Sequence, residues 1–136
     1  LLMIGRNQIQ GQTIIMKGCA IMQLLIFVLN NEELLDDLLE SFLEAGIKGA
    51  TILESTGMVR ELASSGNHHI PIFGTLKLML NEGRTHNRTI FVALEDSQVD
   101  TCIRCIKDVV GDLNKPDAGI VLTVPISRIE GFKNNI

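Results

Sequence analysis

The chain has 136 residues, the length of a single domain built around one hydrophobic core. Apolar residues make up 46% of it and charged residues 21%, a globular composition that excludes intrinsic disorder and collagen. The net charge of −4 argues against a nucleic-acid partner, because binding to the phosphate backbone needs clustered positive charge. Three Cys do not make a disulfide framework, which is typical of a reducing compartment, and we expect a cytoplasmic protein.

Residues 1–22 show no clear hydrophobic period, and we interpret them as a leader or extension of unknown role. The apolar run at residues 18–29 is shorter than the roughly 20 residues that cross a bilayer. No small-residue cleavage site follows it, as a signal peptide would require. The run therefore predicts a buried strand and no membrane insertion.

A first strand–helix–strand unit follows. Residues 24–29 are rich in branched and aromatic side chains and predict a strand, and residues 50–55 predict another. Between them lies a helix that Asn31 can cap and that Gly46 can end. The apolar stripe of this helix consists of Leu34, Leu35, Leu38, Leu39, Phe42 and Leu43.

The same order recurs later in the chain. Residues 89–94 and 120–124 predict strands, and the helix between them ends at Gly111. Ser97 and Asp100 resemble a capping box at the start of that helix, with Asp in place of the usual Glu or Gln. Its apolar stripe consists of Val99, Cys102, Ile103, Ile106, Val109 and Val110.

Two such units predict an α+β, ferredoxin-like split βαβ domain over residues 23–132, with a short tail at residues 133–136. Its antiparallel four-stranded sheet would carry both helices on one face. In a strand with one face in water, apolar and polar side chains alternate. Residues 24–29 are nevertheless apolar at the positions of both faces. Leaving that second apolar face in water would forfeit roughly 10 kcal/mol at about 25 cal/mol per Å². We therefore expect the sheet to associate with copies of the same chain.

The connection between the two units, residues 56–88, is much longer than the usual limit of about 15 residues and indicates a functional loop. Its first half is polar and contains Gly57 and Gly66, which predicts a mobile segment. Residues 72–80 are apolar, and we expect a short helix or strand there that docks on a neighbouring subunit.

Three stretches resemble one protein family. Residues 45–61, AGIKGATILESTGMVRE, resemble the part of PII-type nitrogen-regulatory signal proteins that leads from the first helix through the second strand into a signalling loop. The stretches TIFVALEDSQVDTCIRCIKDVVGD and GIVLTVPISRIEGF resemble the third strand with the second helix, and the final strand. The residues in register in the first stretch are Gly46, Gly49, Thr51, Glu54, Gly57 and Arg60.

The resemblance implies a non-enzymatic, ligand-sensing homotrimer whose sheets face inward. It also implies an adenine nucleotide as small-molecule effector in the clefts between subunits, and a protein target contacted by the loop after the second strand. The candidate ligand-binding residues are Thr51, Gly57, Gly111, Asp112, Lys115 and Arg128, and the candidate partner-loop residues are Arg60, Glu61, His68 and His69.

Departures from the family pattern are also present. The family's phosphate-binding turn has a Gly-Asp-Gly-Lys core, of which only Gly111 and Asp112 remain. Loss of the second Gly weakens the case for a triphosphate, because the backbone can no longer approach phosphate closely. Glu61 stands where the family has a metal-chelating Gln. The chain has no Tyr, which excludes regulation by tyrosine nucleotidylation.

Two alternatives remain open. A metal-responsive trimer of similar fold would use His68, His69 and His86, although adjacent histidines do not easily face one ion. A small enzyme would use Cys105 of a C-x-x-C pair. Its partner Cys102 falls about one turn into a helix, on the apolar stripe, which is typical of a core residue. We therefore expect no catalytic residue and no metal site.

Overall fold

The structure of the chain, a computed structural model, describes residues 21–64 and 86–132. Most of the predicted leader, the apolar segment at residues 72–80, His68, His69 and the tail lie outside the described residues. Short 3-10 turns at Glu32–Leu34 and Asp96–Gln98 lead into two of the helices. The helices and strands are β1 (Met22–Leu29), α1 (Leu35–Glu44), β2 (Thr51–Ser55), α2 (Met58–Ser64), β3 (Asn87–Glu95), α3 (Val99–Val110) and β4 (Ile120–Pro125).

The four strands form one antiparallel sheet in the order β2-β3-β1-β4. Its register pairs Leu25 with Val92 on one side of β1 and Ile26 with Leu122 on the other. The central strands β1 and β3 therefore come from the two different halves of the chain. This confirms the predicted ferredoxin-like α+β fold with its two strand–helix–strand units.

One face of the sheet packs against α1 and α3. Every second residue of β1 is buried, beginning at Leu25, and β3 contributes the same alternation from Ile90. The helices add Leu38 and Phe42 from α1 and Cys102, Cys105 and Ile106 from α3 to the same core. The buried residues alternate along the strands and recur every 3.6 residues along the helices, and together they form a single apolar cluster.

The opposite face of the sheet is apolar as well, as expected. No helix in the described ranges 21–64 and 86–132 covers it, and we call it the open face. Leu24, Ile26 and Val28 of β1 are half-buried on this face. Four further apolar side chains are between 44% and 53% exposed, namely Leu53, Ile120, Leu122 and Val124. Isolated apolar side chains on a surface are ordinary, but a contiguous patch across several strands indicates an association surface.

The helix ends agree in part with prediction. The Asn31 side chain accepts a hydrogen bond from the Glu33 amide at 3.2 Å, and Gly46 and Gly111 end α1 and α3 with φ of +87° and +90°. The capping box predicted at Ser97 and Asp100 is wrong. It is formed instead by Glu95 and Gln98, because the 3-10 turn at Asp96–Gln98 starts the helical segment earlier and places the cap two residues closer to the amino terminus.

Two side chains depart from the predicted helix stripes. Leu43 is 62% exposed, since five residues at 100° each place it about 140° around α1 from the buried Leu38. Cys105, which lies outside the predicted stripe of α3, is only 7% exposed. It faces α1, and its thiol lies 3.7 Å from the Ser41 carbonyl oxygen as a hydrogen-bond donor.

The segment after β2 also differs from expectation. Residues 58–64 form α2, although the sequence predicted a mobile segment there. The run MVRELA contains neither Gly nor Pro and consists mostly of helix formers, and the Glu61 amide donates to the Gly57 carbonyl oxygen at 2.9 Å. Gly and Ser residues on either side of this run masked its helical character in the sequence.

Candidate functional site

A cleft with a volume of about 610 Å³ lies at the β2 edge of the sheet. Its floor includes Thr51 at the start of β2, which is paired with Phe91 of β3. The coil of residues 46–50 forms one wall, and Phe132 contributes to another. A volume of this size lies in the range that holds small molecules, and aromatic lining with a few polar groups is typical of such sites.

A second candidate region is the turn between α3 and β4. Asp112 accepts a hydrogen bond from the Asn114 amide at 2.9 Å, and the Lys115 amide donates to the Asp112 carbonyl oxygen at 3.2 Å. Two shallow cavities of about 440 and 330 Å³ flank this turn, and Asp112 lines both of them. The turn is therefore well defined and presents its polar side chains to solvent.

The structure places the two candidate regions on opposite edges of the sheet. Thr51 lies on β2 and the turn leads into β4, so three inter-strand steps of about 4.8 Å separate them by about 14 Å. Within one chain, the described residues thus do not bring Thr51 together with Gly111, Asp112 and Lys115. A ligand that contacts both regions would have to lie between two copies.

Two further candidates also lie apart. Arg128 follows β4 and pairs with Glu130, whereas Lys115 precedes β4, and the six residues of that strand span about 20 Å. Gly57 follows β2 at the end of the sheet where β4 begins, as the register shows. Arg60 and Glu61 lie on α2, one turn beyond Gly57.

Comparison with known proteins gives a likeness of fold. No protein-family model and no curated protein sequence matches the chain. A functionally unknown protein from Pediococcus pentosaceus ATCC 25745 matches over 84% of this chain and all of its own, with 17% identity and a TM-score of 0.55. Arabidopsis thaliana PII bound to citrate matches over 82% of this chain and 81% of its own, with 12% identity and a TM-score of 0.54.

The chain has a PII-like fold. At these identities the likeness concerns the fold alone. The sheet order β2-β3-β1-β4 agrees with this fold.

Sequence reasoning missed several residues of the cleft in this PII-like fold. Lys48 and Glu95 line it together with Phe132. The position of Lys48, three residues before Thr51, could have indicated it. Phe132 gave no such signal, because it reaches the β2 edge only after the chain turns at the start of β1. That turn is held by the Ile126 amide, which donates to the Met22 carbonyl oxygen at 3.0 Å.

A polar cluster on the open face joins the two ends of the long connection. The Ser55 hydroxyl donates to Asn87 Oδ1 at 2.6 Å and lies 2.7 Å from Thr89 Oγ1. Asn87 is only 8% exposed, and its Nδ2 donates to Asn30 Oδ1 at 3.5 Å. Because Ser55 ends β2 and Asn87 begins β3, the cluster fixes both ends of the connection to the sheet.

The cysteine pair lies in the core. Cys102 is fully buried and Cys105 nearly so, and burial, with a smaller contribution from Cys105, raises the pKa of Cys102 from 9.0 to about 12. Cys105, the residue that the enzyme alternative would use, is only 7% exposed and faces α1, so its position gives a substrate little access to the thiol. Among residues 21–64 and 86–132, no group of three or more His, Cys, Asp or Glu is placed to hold a metal ion. No helix in these ranges is both long and apolar enough to cross a membrane.

The buried thiol predicts a loss of stability in alkali. The folded chain holds the Cys102 proton up to a pKa of about 12, whereas the unfolded chain releases it near 9.0. Between these values the unfolded state binds fewer protons, so the free energy of unfolding should fall by about 1.4 kcal/mol per pH unit above pH 9. Urea unfolding of the wild type and of Cys102→Ala at pH 8 to 10.5 measures this slope. An equal slope in both proteins would contradict the assignment to Cys102.

Proposed function

We propose that the chain is a non-enzymatic, cytoplasmic regulatory protein that forms a homotrimer through its open face. Its effector is a small ligand of the adenine-nucleotide class, bound between neighbouring copies. The observation that carries the proposal is the apolar patch that runs across β2, β1 and β4 on the face opposite the helices. In water this patch is unfavourable, and burial against copies of itself would stabilise the assembly.

The positions of the candidate site residues support a site between copies. Thr51 lies at one edge of the sheet and the Gly111–Asp112 turn belongs to the other. A contact between two different surfaces closes into a ring when the rotation between copies is right. Such a ring would put the β2 edge of one copy beside the turn of the next, so that each cleft receives residues from two chains.

Control of a protein target would act through the segment that begins at Gly57. The cluster of Ser55, Asn87 and Thr89 holds both ends of the connection. Thr51 and Ser55 are the two ends of β2, so a ligand near Thr51 would act on α2 through this strand and the cluster at its far end. A ligand shifts such a segment only if it contacts its two arrangements differently. In this proposal Arg60 and Glu61 of α2 belong to the surface that the target contacts.

Titration calorimetry of the full chain with ATP, ADP, AMP and cyclic AMP tests the ligand. We expect at least one to bind, and Thr51→Ala to weaken that binding about three- to tenfold through loss of one hydrogen bond. Ser97→Ala is the matched control, since it removes an exposed hydroxyl that does not line the cleft. Absence of binding by all four at millimolar concentration would refute the nucleotide, and an unchanged affinity in Thr51→Ala would refute the cleft.

A further inference from the structure

The cleft at the β2 edge is electrically balanced. The charged residues that line it are Lys48 and Glu95, one cation and one anion. The rest of its lining is made of apolar side chains, small residues, the Thr51 hydroxyl and the Gln98 amide. A ligand in this cleft therefore meets little net positive charge from the chain that provides most of its walls.

The turn between α3 and β4, which would complete the site from a neighbouring copy, carries a net negative charge. Lys115 shares its cavity of about 330 Å³ with Asp112 and Asp117. Arg128, the other cation predicted at the site, is paired with the Glu130 carboxylate. Each of these cations thus has a carboxylate near it, and the turn itself carries one positive and two negative side chains.

A chain of phosphates requires the opposite arrangement. Phosphoryl groups are bound by an excess of Arg, Lys or backbone amides, and uncompensated carboxylates nearby repel them. A flat ring suits this cleft better, because Phe91 and Phe132 supply apolar surfaces and Thr51 supplies a hydroxyl. The outer edge of β2, which pairs with no strand among the described residues, adds backbone donors and acceptors for the edge of such a ring.

We propose that the ligand of this cleft is a nucleoside or a nucleoside monophosphate, and that the charge of the site discriminates against triphosphates. This inference rests on the proposed function and specifies the ligand class of the same site. The carboxylates beside Lys115 and Arg128 would weaken the binding of a triphosphate. This effect does not depend on the shape of the cleft that holds the flat ring.

Calorimetry with adenosine, AMP, ADP and ATP, with and without Mg²⁺, separates this inference from the proposed function. We expect adenosine and AMP to bind within about threefold of each other, and ATP to bind at least tenfold more weakly than AMP. ATP that binds as tightly as AMP would overturn the inference while leaving the proposed function intact. Failure of all four to bind would overturn both.

Asp117→Asn gives a test at the level of one residue. Asp117 has a φ of +64°, a conformation that Asn also adopts readily, so the turn should keep its shape. We expect ATP to bind three- to tenfold more tightly to this variant and adenosine to bind unchanged. Glu40→Gln removes one charge from the exposed side of α1 and is the matched control. An equal gain in ATP affinity for both variants would overturn the assignment to the turn.

Discussion

Replacement of Gly119 by Ala is expected to lower the free energy of unfolding by about 3–5 kcal/mol. Gly119 has a φ of +111°, where a residue with a side chain is strained by about 1–3 kcal/mol. A Cβ at this position would collide with the Val28 carbonyl oxygen and lie 2.9 Å from Phe27 Cε1. Because Phe27 is fully buried and Val28 belongs to the central strand, neither can move without cost, and overpacking adds about 1–3 kcal/mol.

Gly46→Ala separates these two contributions. Gly46 has a φ of +87°, but no atom lies within 4 Å of the position its Cβ would take. It should therefore show the backbone strain without the collision, and lose about 1–2 kcal/mol. Urea unfolding followed by circular dichroism measures both variants. A Gly119→Ala protein as stable as Gly46→Ala would show that the approach of Gly119 to β1 is not tight.

Introduction of a charge on the open face is expected to dissociate the proposed trimer. Leu122 is 48% exposed at the middle of β4, on the face that the helices do not cover. In Leu122→Glu, three carboxylates would be buried on assembly, each at a cost of several kcal/mol. We expect the wild type to sediment near three times the 15.0 kDa chain mass, and the variant near the mass of one chain at micromolar concentration.

Thr123→Glu is the control, since it adds the same charge one residue further along β4. Thr123 pairs with Leu25, whose side chain is on the helix-covered face, and it lines a cavity with Ile103 and Lys107. Its substitution should leave the assembly intact. Both variants should keep the circular dichroism spectrum of the wild type, because neither residue belongs to the buried core. A wild type that sediments as a single chain would refute the trimer, and a Leu122→Glu variant that remains trimeric would refute its assembly through the open face.

The strands, the two main helices and the apolar character of both sheet faces could be predicted from local pattern. The composition of residues 24–29 is enough to predict a strand, and Gly46 and Gly111 each lie within one turn of the helix that they end. The fold followed because strand–helix–strand units have few ways to pack. Local information sufficed wherever a residue's role is set by its near neighbours in the chain.

The sequence did not predict the features of residues whose environment is set by a distant part of the chain. Cys105 is buried because α1 lies against it, and Phe132 lines the cleft because the carboxyl-terminal segment returns across the sheet. Gly119 looks like an ordinary turn residue in the sequence, and only its approach to β1 makes a side chain intolerable. The separation of Thr51 from the Gly111 turn likewise depends on strand order, which spacing alone does not reveal.

The strand order has a consequence for synthesis on the ribosome. A nascent chain that has reached Ser55 already contains β1 and β2, yet these strands cannot pair, because β3 lies between them in the finished sheet. The first pair of strands, β1 with β3, can form only after residues 87–95 have emerged, when Met22 can pair with Glu95. Translation that stops inside the long connection would therefore release an unpaired, apolar LLIFVL segment, the kind of product that chaperones bind and that aggregates.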